Sequence, residues 1–143
     1  MPLIIWMTLI FVGSTDVLSA EHTSRFLAPF LRWLDPQISW VALNSIQIFI
    51  RKLGHLTEYA ILAILLWRAF QSAAFWKLST WISLTILLIC CAIFAASDEF
   101  HQSFVPSRTS SFNDVMIDVC GAMIGLAICV ALASRKALKQ TRA

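Results

Sequence analysis

The sequence predicts an all-α fold: a four-helix transmembrane bundle with a short interfacial segment between helices 1 and 2. Three observations carry that expectation. Of 143 residues, 59% are hydrophobic and only 13% charged, against about 45–50% and about 25% in soluble domains. A soluble chain of this length could not hide so much apolar surface. The run "LSTWISLTILLICCAIFAAS" is free of charge over about twenty residues, which matches a bilayer at 1.5 Å of helix rise per residue. Trp6, Trp67, Trp76 and Trp81 sit near the ends of apolar runs, as an interfacial aromatic belt requires. The length sets a single domain over 1–143.

The first helix is expected over about 3–19, in "PLIIWMTLIFVGSTDVLSA". It lacks the Lys/Arg lead of a secretory signal, and Leu18 is a poor residue before a cleavage site, so it reads as a retained helix with Asp16 near its far end. The next stretch, "TSRFLAPFLRWLDPQISW", mixes apolar, aromatic and basic residues around two prolines and suits an interfacial segment better than a span. A second helix is expected over 41–70. Its apolar part, "LTEYAILAILLW", is short, so the "RKLGH" turn lies at or just inside one interface. The third helix covers 76–100 and the fourth 112–133.

The formal charge of +3 comes mostly from the tail "SRKALKQTRA", which reads as a cytoplasmic anchor beside an apolar run. No nucleic-acid motif accompanies it, so no nucleic-acid partner is expected. Cys90, Cys91, Cys120 and Cys129 all fall in apolar runs without CxxC or CxxH spacing. Neither a disulfide framework nor a thiolate zinc site follows; they read as small apolar side chains.

Alternation of crossings brings the start of the second helix, the end of the third and the start of the fourth to one membrane face. Arg51, Lys52, His55, Glu58, Asp98, Glu99, His101, Gln102, Arg108, Asp114 and Asp118 gather there, joined by Asp16. Arg68 and Lys77 flank the second connection, and Arg135, Lys136, Lys139 and Arg142 follow the last helix. The positive-inside rule then gives N-in and C-in, with the polar cluster outside.

At 100° per residue, Arg51, His55, Glu58 and Leu62 fall within about 60° of one another. Ser111, Asp114, Asp118, Gly121, Gly125 and Cys129 share a second stripe, which sets two carboxylates above a G-x-x-x-G pair. Glycines at that spacing let helix backbones approach closely in lipid, within one chain or between two. Asp98 and Gln102 share a face with Cys91 and Ala95.

Ionisable groups at membrane depth are candidates for function. As catalytic residues the sequence offers Glu58, Asp98, Glu99, His55 and Gln102. Glu58 or Asp98 would act as general base, with His55 or His101 moving a proton near neutral pH. Arg51, Lys52 and Arg108 would hold the phosphate of an anionic envelope lipid; His101, Asp114 and Asp118 complete the binding face. A second version adds a divalent metal on oxygen and nitrogen donors from Glu58, Asp98, Glu99, Asp114, His55 and His101, although H-x-x-E-Y is not the H-E-x-x-H zinc helix. The competing reading is a non-enzymatic membrane assembly protein whose acids and bases pair only to hold its helices together. A proton-coupled transporter fits less well, because no inverted repeat is visible.

The blocks "RKLGHLTEY", "DEFHQSFVPSR" and "SFNDVMIDVCGAMIG" resemble the VanZ-like family, named for a protein associated with teicoplanin resistance. The serine-rich "GSTDVLS" is loosely similar to the family's first helix end. Position 118 is often Asn in that family; here it is Asp, one more negative charge. The resemblance implies a multi-pass protein of the bacterial cytoplasmic membrane. It further implies that the polar residues above form a shared site, and a link to lowered susceptibility to a lipoglycopeptide.

Overall fold

The computed structural model describes residues 2–15, 20–72, 78–105 and 110–140. Among them the chain is all-α, with five helices: α1 (Pro2–Gly13), α2 (Ala20–Leu34), α3 (Trp40–Ser72), α4 (Thr80–Gln102) and α5 (Phe112–Gln140).

Local chemistry explains most of the boundaries. Pro2 opens α1, where its missing N–H is no loss. Gly13, Ser14 and Thr15 close it: Ser14 N–H still reaches the Ile10 carbonyl at 2.8 Å, and the Thr15 hydroxyl turns back to the Val12 carbonyl at 2.6 Å. Ser39 caps α3 by accepting from Ala42 N–H at 3.2 Å, and Ser79 caps α4 through Ile82 N–H at 3.4 Å. The segment expected at the interface is α2, a strongly amphipathic helix that tolerates Pro29 in its interior. Phe26, Phe30 and Trp33 form its exposed stripe, and the Arg32 guanidinium lies 4.9 Å over the Trp40 ring.

The expectation of four crossings is corrected. Two helices, α4 and α5, are long and apolar enough to cross a membrane. Only 22% and 33% of their most apolar windows are buried, so their apolar side chains largely face outward, unlike those of a soluble core helix. That is compatible with a membrane protein. At 12 residues α1 reaches only about 18 Å, short of a hydrocarbon core of about 30 Å. It ends at Gly13 in a glycine–serine–threonine turn instead of continuing through Thr15; residues 16–19 of its expected span, Asp16 among them, lie outside the described residues. In α3 the length suffices at 33 residues, but Asn44, Gln47, Arg51, Lys52, His55 and Glu58 interrupt the apolar run. Trp76 and Lys77 lie outside the described residues.

Packing centres on α3. Tyr59, Leu62 and Ala63 of α3 meet Leu87, Cys91 and Ala95 of α4, Ala122 and Leu126 of α5, and Ile10 of α1. A Cβ on Gly121 would run into the Leu56 carbonyl, and one on Gly125 into that of Ala60. The G-x-x-x-G face is therefore spent within the chain, on α3. The Trp6 indole ties α1 to the same helix, donating to the Glu58 carbonyl at 3.0 Å. All four cysteines are free, Cys91 and Cys129 buried and Cys90 and Cys120 exposed.

Candidate functional site: a buried acidic cluster beside a cavity

Each of the three long helices carries one buried stripe, and each stripe changes chemistry at the same end of the bundle. In α4 the face formed by Leu87, Cys91 and Ala95 continues as Asp98 and Gln102. In α5 the face of Gly121 and Gly125 begins as Asp114 and Asp118. In α3 it is His55 that precedes Tyr59 and Leu62. The acids are buried because they extend helix faces that the core has already claimed.

The pairs between helices are specific. Arg51 Nη2 donates to Asp114 Oδ2 at 2.9 Å, with side-chain exposures of 26% and 8%. His55 Nδ1 lies 3.1 Å from Asp118 Oδ1, in side chains 9% and 0% exposed. Both contacts join positions 63 apart, so α3 and α5 run parallel, with α4 returning between them. Gln102 Nε2 donates to Asp98 Oδ2 at 3.2 Å, a contact one helical turn long. Glu99 Oε2 accepts Ser111 N–H at 2.9 Å at the start of α5, where the helix dipole favours a negative charge.

A cavity of about 230 Å³ opens beside this cluster. Its apolar lining includes Ile10, Leu27, Ile48 and Ile50; its polar lining includes Ser14, Asn44, Gln47, Arg51, His55, Glu58, Asp98 and Gln102. Gly54 lies in the lining, and a Cβ there would meet nothing within 4 Å. Several buried atoms of the region have no hydrogen-bond partner: Tyr59 Oη, Asp98 Oδ1, Glu99 Oε1, Gln102 Oε1, Asp118 Oδ2 and His101 Nδ1. Each unmet buried group costs about 1–3 kcal/mol, so this is the part of the described structure where a proton, a water or a ligand atom would gain most.

Of the residues singled out in the sequence, Arg51, His55, Glu58, Asp98 and Gln102 line the cavity; Glu99, Asp114 and Asp118 lie in the cluster at its edge. Two described residues are elsewhere. Lys52 is exposed and outside the cavity lining. His101 packs its ring on Phe11 of α1, centroids 4.3 Å apart, also outside that lining. Arg108 lies outside the described residues. As metal donors the six expected residues reduce to His55 and Glu99, which are joined by Asp118; ligand atoms of these three lie within 4.8 Å of one another. Asp114 is engaged by Arg51 and Asp98 by Gln102.

Asn44, Gln47 and Ser14 were not among the sequence candidates. Asn44 and Gln47 continue the Arg51–His55–Glu58 face upstream at i−7 and i−4, so the spacing alone could have found them. Ser14 follows the glycine that ends α1, and nothing in its spacing points to the cavity.

A family model described as VanZ/LLP1 matches residues 1–133. The chain belongs to the VanZ/LLP1 family. The match takes in every described element of the site, from α1 to the acidic start of α5; among the described residues of the VanZ/LLP1 chain, only the basic end of α5 lies beyond it. No curated protein and no solved structure matches the chain.

Proposed function

We propose that this VanZ/LLP1 chain is an integral protein of the bacterial cytoplasmic membrane that holds the polar head of an anionic cell-envelope lipid in the cavity beside α3. By family, the role is linked to susceptibility to glycopeptides such as teicoplanin. The observation that carries the reading is the cavity's mixed lining, isoleucines and a leucine together with amides, Arg51 and carboxylates. A lipid is apolar along its chains and polar at its head, and so is this surface.

Electrostatics sets where the head lies. Asp98 lines the cavity, with Glu99 and Asp118 in the cluster beside it, and all three are buried. Without a counter-ion among those acids, a phosphate pressed against that side would meet like charge. The amides of Asn44 and Gln47 and the guanidinium of Arg51 offer N–H donors toward the N-terminal end of α3, which suits phosphate oxygens. In this reading α4 and α5 cross the bilayer, the basic end of α5 is cytoplasmic, and the cavity faces the outer leaflet. Exposed Lys52 adds positive charge near the surface. Glu58 stands in the lining as a base for any bond-breaking step.

The test is lipid identification by native mass spectrometry on protein purified in membrane nanodiscs. A phosphate-bearing envelope lipid should co-purify with wild type. Gln47→Ala should retain about tenfold less of it, and Gly54→Trp, which fills the cavity, should retain none. Equal retention by all three proteins would discard the reading.

A further inference from the structure

We propose that His55, Glu99 and Asp118 bind one divalent transition-metal cation where α3, α4 and α5 meet. The site goes beyond the lipid reading and does not depend on it. Its donors are one imidazole and two carboxylates, with ligand atoms within 4.8 Å of one another. That mixed nitrogen–oxygen set suits Zn²⁺ or Mn²⁺. The 3.1 Å between His55 Nδ1 and Asp118 Oδ1 is close to the separation of two neighbouring ligands that each lie about 2.1 Å from a shared ion.

Charge gives the same answer. Arg51 matches Asp114. Asp98, Glu99 and Asp118 remain, at 3%, 4% and 0% exposure, with His55 hydrogen-bonded to one of them. Three buried carboxylates in one place repel one another, and bound protons or a cation relieve that repulsion. Hydrogen bonding leaves the matching gap, because Glu99 Oε1 and Asp118 Oδ2 are buried without a partner.

The donors are also held in place. The glycine seam fixes His55 against Asp118, and the Ser111 N–H fixes Glu99. His55 belongs to the cavity lining together with Asp98 and Gln102, each of which presents an unpartnered oxygen. On that side, water or a ligand oxygen completes the cation's coordination shell, with Asp98 and Gln102 orienting it.

The test uses the full chain in nanodiscs, stripped with EDTA and dialysed. Mn²⁺ is titrated and followed by electron paramagnetic resonance of the free ion, and Zn²⁺ by calorimetry. One saturable ion per chain is expected. Glu99→Gln and Asp118→Asn should each weaken binding by at least about tenfold while keeping wild-type circular dichroism, and the loop variant Asp35→Asn should bind as wild type. Should Glu99→Gln disturb the start of α5, Asp118→Asn decides alone, since its amide can still bond His55. On wild type, pulsed resonance of the bound Mn²⁺ should show coupling to an imidazole nitrogen. No saturable binding of either ion, undiminished binding by folded Asp118→Asn, or bound Mn²⁺ without nitrogen coupling would each overturn the assignment.

Discussion

Helix α3 meets two opposite conditions through glycines. On the side facing α5, a Cβ at Gly121 or Gly125 would strike the carbonyl oxygens of Leu56 and Ala60; on the cavity side, a Cβ at Gly54 would touch nothing. The same residue type serves closeness in one place and emptiness in the other. Close approach along the seam sets the helices in register, and that register delivers His55 to Asp118 and Arg51 to Asp114. The missing side chain at Gly54 leaves room beside those groups. Stability and vacancy are therefore carried by separate faces of one helix, and substitutions can separate them.

The strongest challenge to the contrast is Gly121→Leu. A side chain driven into backbone forces the helices apart, at about 3 kcal/mol or more, and folded protein should vanish from the membrane fraction. Wild-type abundance would mean that the seam does not hold α5. Next comes Asp118→Ala, which strands His55 in a buried setting. A loss of about 2–4 kcal/mol is expected in SDS unfolding followed by tryptophan fluorescence. A loss below about 1 kcal/mol would mean that the pair is not formed. Arg51→Ala should cost less, about 1–2 kcal/mol, because the guanidinium is partly exposed and solvent screens it. A double-mutant cycle with Asp114→Ala should return a coupling of about 1 kcal/mol, and strict additivity would deny the contact. Smallest and opposite in sign is Gly54→Ala. Removing a glycine from mid-helix where space is open should raise stability by about 0.5–1 kcal/mol, and destabilisation in the same assay would show that the space is filled.

Much of this was legible in the sequence because it needs only the helical period. The polar residues of 51–58, 98–102 and 114–118 share helix faces by arithmetic at 100° per residue. The expected helix over 41–70 corresponds to Trp40–Ser72, and the expected start at 112 to Phe112. The number of crossings misled for a definable reason. Counting helices is not counting apolar continuity, and in α3 the residues that build the cavity are those that interrupt the run. Gly13 followed by two hydroxyl residues was a stop signal for α1 that the surrounding apolar letters concealed. Which acid faces which base was not legible, because it depends on how far α5 is displaced along α3. Asn44 and Gln47 escaped notice because uncharged polar residues stand out less than acids in an apolar chain.

The offset of 63 positions between α3 and α5 makes the seam a gauge. Were α5 to slip by one turn, Arg51 would face Asp118 and His55 would face Ala122, and the imidazole would lose its carboxylate. The notches at 121 and 125 make one seating deeper than its neighbours. Connections between helices can therefore lengthen at little cost, whereas deleting one residue between 114 and 121 would swing the acids about 100° around the helix and out of the cluster. In this molecule the site's chemistry fixes spacing within helices and places no such demand on the length of the chain between them.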